Sequence, residues 1–166
     1  KQIAEDILAL LEKERIQRVH VLGFSDGGNL GLYLAAHYPE RIASLIAMGA
    51  NYEADGLTDA CNEETLERYE ELLALPDTDP DKIQRLCIHN LMLEELDLSA
   101  EALRSIQAPT MLLAGEFDLI RDDQTEAMHR LIKKKQKYIV PGGSHGFFVD
   151  DPKVLERLAK KFYKSL

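Results

Sequence analysis

VHVLGFSDGGN, residues 19–29, is a short apolar run that breaks into glycines around one serine. The run predicts a buried strand, a sharp turn and then a helix. The turn contains Gly23-Phe24-Ser25-Asp26-Gly27, which matches the G-x-S-x-G pattern of a strained turn that exposes a serine nucleophile. We expect glycine at positions 23 and 27 because a side chain two residues to either side of the serine would collide at this turn.

The backbone N–H of Asp26 falls at the start of the predicted helix, where it can face a developing oxyanion. Taken alone, the pattern also fits a second interpretation, in which Ser25 simply caps a glycine-rich helix. The two interpretations differ in what they require downstream. A nucleophile needs an acid and a histidine, each at the end of its own strand, and a helix cap does not.

Composition restricts the class of protein. The chain has 166 residues, 45% hydrophobic and 30% charged, which is typical of one soluble domain with a real core. A net charge of −9 argues against a nucleic-acid partner, and we interpret the basic run at residues 133–137 as the last turn of a helix. The spacing of Cys61 and Cys87 indicates neither a disulfide framework nor a zinc site. No apolar stretch is long enough to cross a bilayer, so we expect a cytoplasmic protein that does not bind a membrane. We also expect no metal site.

Strand-like and helix-like patterns alternate along most of the chain. Helices are predicted at 3–14, 27–38, 122–134 and from 151 onward, and strands at 18–24, 42–50, 110–115 and 137–140. This alternation predicts an α/β fold with a parallel sheet covered on both faces. Residues 51–107 are acidic and contain three helical patterns, beginning near Asn62, Asp79 and Ser99. We therefore expect a helical cap at 51–107, inserted into a core formed by 1–50 and 108–166.

Three polar residues follow predicted strands: Ser25, Asp118 and His145. The carboxyl edge of a parallel sheet is where ligand sites form, so these side chains should meet there. A neutral serine is a poor nucleophile until a histidine takes its proton, and a carboxylate holds that histidine in the required tautomer. The chain order of serine, acid and histidine is that of α/β-hydrolases.

Alternatives exist for the acid and for the histidine. Asp118 also suits a helix-capping role, in which case the orienting acid is one of its neighbours: Glu116, Asp122 or Asp123. The remaining histidines lie in a predicted strand or in helices, where packing and surface roles are ordinary: His20, His37, His89 and His129. Only His145 has a position suited to catalysis.

The sequence resembles the α/β-hydrolase superfamily in three turns. The S-D-G-G turn at 25–28 is similar to that of biphenyl-hydrolase-like esterases, and residues 115–118 and 143–147 resemble the acid and histidine turns of the family. The resemblance implies that Ser25 is the nucleophile, His145 the general base and acid, Asp118 the orienting acid and the Asp26 N–H an oxyanion donor.

By this resemblance the chain is a serine hydrolase of the carboxylesterase type, acting without a cofactor on a small ester or thioester. The same triad also serves amide and carbon–carbon bond cleavage, and a non-catalytic ligand-binding protein of this fold is a further alternative. Candidate pocket-lining residues are Phe24, Leu91, Met92 and Phe147, for which core packing is an equal alternative.

The resemblance aligns this chain with the carboxyl-terminal part of such a hydrolase. Further strands, and the loop that supplies a second oxyanion N–H, precede the first helix in complete members. We expect the strand at 19–24 to have an open edge that invites pairing with another chain or with a missing amino-terminal segment. The chain is then a fragment, one half of a two-chain assembly, or a self-associating protein.

Overall fold

The structure is a computed structural model that describes residues 1–93 and 98–166, with the backbone alone at 91–93. Four parallel strands form one sheet in the order β1-β2-β3-β4: β1 (Val19–Phe24), β2 (Ile42–Met48), β3 (Thr110–Phe117) and β4 (Lys135–Ser144). Helices of the described residues are α1 (Gln2–Lys13), α2 (Asp26–His37), α3 (Asp59–Ala74), α4 (Lys82–Leu93), α5 (Ala100–Ser105), α6 (Asp122–Leu131), α7 (Phe147–Asp150) and α8 (Pro152–Tyr163).

Each face of the sheet has its own hydrophobic core. Side chains of β2 alternate between them, since Leu45 and Ala47 enter one core and Ile46 and Met48 enter the other. The first core is completed by residues of α2, α5 and α6, including Leu32, Leu103 and Met128. The second is completed by residues of α7 and α8, including Phe147, Leu158 and Phe162. The predicted α/β fold, with helices on both faces of a parallel sheet, is confirmed.

Helices α3, α4 and α5 lie between β2 and β3 in the chain, in the segment predicted as a cap. Its first part is attached to the turn after β3, because the Thr58 N–H donates to the Leu119 carbonyl at 2.8 Å and Leu57 pairs with Ile120. Ser99 caps α5 as expected, its hydroxyl accepting the Ala102 N–H at 3.1 Å. The cap role of residues 51–107 stays a prediction.

The expected start of α3 at Asn62 is wrong. The helix begins at Asp59, after Thr58, because the bridge at Leu57 fixes the chain there and directs the following residues into the helix. Asn62 lies within the first turn, where its side-chain amide donates to the Leu57 carbonyl at 3.5 Å.

The basic run at 133–137 is not the last turn of a helix. Helix α6 ends at Leu131, and β4 begins at Lys135 by pairing with Thr110 of β3. The lysine side chains suit either assignment, but strand pairing satisfies the backbone of residues 135–137. A lysine-rich sheet edge also discourages pairing with a further strand.

Helices of the described residues are all too short or too polar to cross a membrane. In the same residues, no group of three or more histidine, cysteine or acidic side chains is arranged to hold a metal ion. Cys61 is buried and Cys87 is exposed, and both are free thiols.

Candidate active site

Ser25 occupies the turn between β1 and α2 in a backbone conformation that is uncommon for a residue with a side chain. Its φ is 53° and its ψ is −122°. The conformation is held from both sides. The Ser25 N–H donates to the Met48 carbonyl at 2.8 Å, and the Ser25 carbonyl accepts the Gly28 and Asn29 N–H groups at 2.8 and 3.0 Å. Strain of this kind, over-determined by its surroundings, is typical of functional sites.

The two glycines of the turn have different surroundings. A Cβ on Gly23 would lie 2.1 Å from the Gly27 carbonyl oxygen and 2.8 Å from the Gly28 nitrogen, so the expected collision occurs there. A Cβ on Gly27 would meet no atom of the described residues within 4 Å. The expected collision at Gly27 is therefore not found among the described residues, because the space beside its Cα is open.

Ser25, His145 and Asp118 lie at the carboxyl ends of β1, β4 and β3 and form a continuous hydrogen-bonded chain. His145 Nε2 is 3.2 Å from Ser25 Oγ, and His145 Nδ1 is 2.6 Å from Asp118 Oδ1. In the neutral imidazole these contacts require the proton on Nδ1, donated to the carboxylate, so that Nε2 accepts the serine hydroxyl. The side chain of Asp118 is 1% exposed and that of His145 is 18% exposed. Water reaches the histidine and hardly reaches the acid.

The Asp118 carboxylate is stabilised in its charged form. Burial raises its pKa, but the hydrogen bond from His145, the Ile120 and Gly115 N–H groups and the charge of His145 together outweigh burial and leave the pKa below its ordinary value. The two backbone donors each lie at 3.1 Å. A carboxylate held ionised in this way can orient an imidazole and stabilise its protonated form.

The alternative acids Glu116 and Asp123 have other hydrogen-bond partners, and Asp122 lies on α6. Glu116 accepts the Gly142 N–H at 2.7 Å, and Asp123 accepts from Arg121 at 3.0 Å. Asp122 lies in the first turn of α6. In the described part of the chain, Asp118 is thus the carboxylate that the structure brings to His145.

The other four histidines lie on β1, α2, α4 and α6. His20 contacts the Ser44 hydroxyl at 2.7 Å, and the His37 ring packs on Tyr33 with centroids 4.4 Å apart. His89 lies on α4 and His129 on α6. Burial lowers the pKa of His129, and two neighbouring lysines lower it further.

Asp26 is the first residue of α2, and the first N–H groups of an α-helix have no partner within the helix. Its backbone N–H is therefore suited to binding an oxyanion beside Ser25. Its side chain is open to solvent, yet the protein around the carboxyl group displaces enough water to raise its pKa, an effect that the charge of His145 partly offsets.

The expected pocket residues separate into three cases. The Phe24 ring contacts the His145 ring with centroids 4.7 Å apart, so Phe24 borders the site. Phe147 is 3% exposed and packs in the second core with Val140 and Leu158. This position fits the alternative of core packing rather than pocket lining. The side chains of Leu91 and Met92 lie outside the described residues.

Sequence reasoning missed a buried amide pair that connects the serine helix to the end of β2. Asn29 donates to the Asn51 side-chain oxygen at 3.0 Å and accepts the Asn51 N–H at 2.9 Å. It also missed exposed apolar side chains beside the acid and the histidine, namely Phe117, Leu119 and Val149. The sequence did contain one signal for the amide pair. Asn29 lies one turn after the nucleophile on an otherwise apolar helix.

The chain is similar to known proteins of the α/β-hydrolase fold. Residues 1–78 match a family model described as the alpha/beta hydrolase fold. Over 96% of its length the chain is 27% identical to human serine hydrolase BPHL. Pyrrolizixenacetamide deacetylase of Xenorhabdus hominickii is 24% identical over 99% of the chain and 73% of its own length. The chain spans only 59% of the length of human BPHL.

Among solved structures, a meta-cleavage product hydrolase from Pseudomonas fluorescens IP01 superimposes on 98% of the chain with a TM-score of 0.78. The match spans 70% of that protein at 17% identity, so it bears on the fold alone. The chain therefore has the α/β-hydrolase fold, and its first 78 residues match the family model of that fold.

Proposed function

We propose that this chain carries the catalytic site of a serine hydrolase that cleaves small carboxylic esters or thioesters through an acyl-enzyme on Ser25. One observation carries the proposal. The hydroxyl of Ser25, the imidazole of His145 and the carboxylate of Asp118 are in contact at 3.2 and 2.6 Å, with the serine in a strained turn. A histidine that contacts both a serine hydroxyl and a buried carboxylate has the geometry of an activated nucleophile.

Acylation begins when Ser25 Oγ attacks the carbonyl carbon of the substrate and its proton passes to His145 Nε2. The negative charge then develops on the carbonyl oxygen, toward which the Asp26 N–H donates. Asp118 keeps the Nδ1 proton in place and stabilises the imidazolium. When the tetrahedral intermediate collapses, the carbon–oxygen or carbon–sulfur bond to the leaving group breaks, and His145 returns its proton to that group.

Deacylation repeats these roles with water. His145 takes a proton from water, the resulting hydroxide attacks the acyl carbon, and Ser25 leaves with the proton that His145 returns. The products are a carboxylic acid and free enzyme.

Two features bear on the substrate of the proposed hydrolase. Phe117, Leu119 and Val149 expose apolar surface on the residues that flank Asp118 and His145. The S-D-G-G turn and the match to serine hydrolase BPHL also support placement near the biphenyl-hydrolase-like esterases.

A proposal about partners rests on β1, which is an edge strand of the described sheet. Leu22 on this strand is 48% exposed. An open apolar edge of this kind supports pairing with a further strand, either from the same protein or from a second copy.

Amide hydrolysis is the second candidate, and the relative named as a deacetylase favours it. The same acyl-enzyme forms from either substrate, but the leaving amine must be protonated before the bond breaks. Paired substrates that share an acetyl group, p-nitrophenyl acetate and p-nitroacetanilide, separate the two candidates.

The experiment measures hydrolysis of both substrates, and of p-nitrophenyl butyrate, by the chain, by Ser25→Ala and by Ser105→Ala. Ser105 is an exposed serine at the end of α5, so it controls for the loss of a hydroxyl. We expect ester cleavage that Ser25→Ala abolishes and Ser105→Ala retains. Faster cleavage of the anilide would favour the amide candidate, and binding of esters without turnover would favour a non-catalytic protein.

A further inference from the structure

The end of β2 lies next to the triad, although β2 contributes no side chain to the triad. The carbonyl of Met48 accepts the Ser25 N–H at 2.8 Å, and the N–H of Gly49 donates to the Leu113 carbonyl on β3 at 2.8 Å. The backbone at 48–49 is therefore held between the strand that positions the serine and the strand that leads to the acid.

Gly49 presents its Cα to the imidazole of His145. A Cβ built on Gly49 would lie 2.7 Å from Cε1 and 2.8 Å from Nδ1 of the ring, and 3.5 Å from Asp118 Oδ2. Gly49 also has a φ of +52°, a conformation that glycine adopts without steric cost. The ring thus occupies the space that any other residue at position 49 would fill.

The imidazole has little freedom to move away from an added methyl group. Its Nδ1 is bonded to Asp118 at 2.6 Å, its Nε2 is 3.2 Å from Ser25 Oγ, and the Phe24 ring is 4.7 Å away, centroid to centroid. Carbon atoms pack comfortably at about 3.5–4.0 Å, so relief of the contact needs a displacement of about 1 Å. Such a displacement would break at least one of the two hydrogen bonds.

We propose that Gly49 is a positioning residue for His145, because its missing side chain lets the imidazole contact the acid and the nucleophile at the same time. The proposal rests on the proposed function, in which His145 transfers the protons. Gly49 itself touches no reacting atom and acts only through the ring.

The test compares Gly49→Ala with Gly142→Ala. Gly142 also has a left-handed φ, +68°, but a Cβ on it would meet no described atom within 4 Å. Both variants carry the backbone strain of alanine at positive φ, and only Gly49→Ala adds the collision with the ring. The readout is the rate at which a fluorophosphonate phosphonylates Ser25 with loss of fluoride, followed by intact mass.

We expect Gly49→Ala to react about 100-fold more slowly than the parent, which is the cost of a misplacement of about 1 Å, and Gly142→Ala to keep the parent rate. A second readout is the downfield proton resonance of the hydrogen bond between His145 Nδ1 and Asp118, which should vanish in Gly49→Ala alone. Equal rates and equal spectra in the two variants would overturn the proposal.

The two proposals fail in different ways. If the parent chain never reacts at Ser25, the proposed function fails. Loss of the downfield resonance in Gly49→Ala but not in Gly142→Ala would still support the positioning role. Retention of that resonance in Gly49→Ala would overturn it.

A double-mutant cycle decides the case in which Gly49→Ala folds poorly. His145→Ala removes the ring, so the methyl group of Gly49→Ala should then lower the urea midpoint no more than Gly142→Ala does in the same background. An equal loss of stability with and without the ring would mean that the methyl group collides with something other than His145, and the proposal would fall.

Discussion

The two glycines of the serine turn should respond in opposite directions to the same substitution. In Gly23→Ala the new methyl group would lie 2.1 Å from the carbonyl oxygen and 2.5 Å from the carbonyl carbon of Gly27. Both atoms belong to the backbone of the first turn of α2, so no side-chain rotation relieves the contact. Either β1 or the start of the helix must move by more than about 1 Å to reach ordinary contact distance.

Helix α2 resists this movement because it packs closely on the sheet. A Cβ on Gly31 would lie 2.6 Å from the Leu45 side chain, and Leu32 and Ala35 are fully buried in the first core. Over-packing of a close-packed interior costs about 1–3 kcal/mol and occasionally more. We expect Gly23→Ala to lose at least about 3 kcal/mol of unfolding free energy, because the contact involves backbone on both sides.

Gly27→Ala has the opposite expectation. The position is helical, has space for a methyl group among the described residues and does not have a left-handed φ, so alanine should stabilise the helix by about 0.5–1 kcal/mol. The assay is urea unfolding followed by circular dichroism, with the fluorophosphonate rate at Ser25 measured on the folded samples. Comparable losses in both variants, or an unaffected Gly23→Ala, would refute the steric reasoning.

Three further predictions concern the acid and the amide pair. Asp118→Asn should lower the hydrolysis rate by about 10⁴-fold, because an amide no longer fixes the Nδ1 tautomer; single-turnover acylation measures this. Because the pKa of Asp118 lies below its ordinary value, its contribution to stability is present at neutral pH and lost as pH falls through the folded-state pKa. The unfolding free energy of the parent should therefore decline between about pH 5 and pH 2 more steeply than that of Asp118→Asn, as acid titration would show. Asn29→Leu should cost about 1–3 kcal/mol in urea unfolding, since it leaves the buried Asn51 N–H without its acceptor.

The parallel sheet and the residues at the strand ends could be predicted because they follow from local patterns. Alternation of apolar runs and amphipathic helices specifies a parallel sheet, and a parallel sheet brings Ser25, Asp118 and His145 to one edge. The choice between Asp118 and Glu116 stayed open, since the predicted strand ends at residue 115 and both acids follow it closely. Glu116 accepts the Gly142 N–H, and this contact could not be predicted from the sequence because it depends on the course of β4.

The missed features depend on contacts between segments that are distant in sequence. The lysine run looks helical because lysine has a high helix propensity, but pairing with Thr110 and its neighbours on β3 determines its conformation. The role of Gly49 depends on a ring 96 positions later in the chain (145 − 49), and the Asn29–Asn51 pair depends on how α2 lies against the end of β2. No local sequence pattern indicates which distant residues will be in contact.

Covalent labelling of the chain with a fluorophosphonate, read by intact mass and by mapping of the modified peptide, would show whether Ser25 is an activated nucleophile. We expect a single adduct on Ser25 that is absent from Ser25→Ala and forms much more slowly in Asp118→Asn. An adduct on a different residue, or no adduct on a sample that circular dichroism shows to be folded, would contradict the claim that Ser25 is an activated nucleophile.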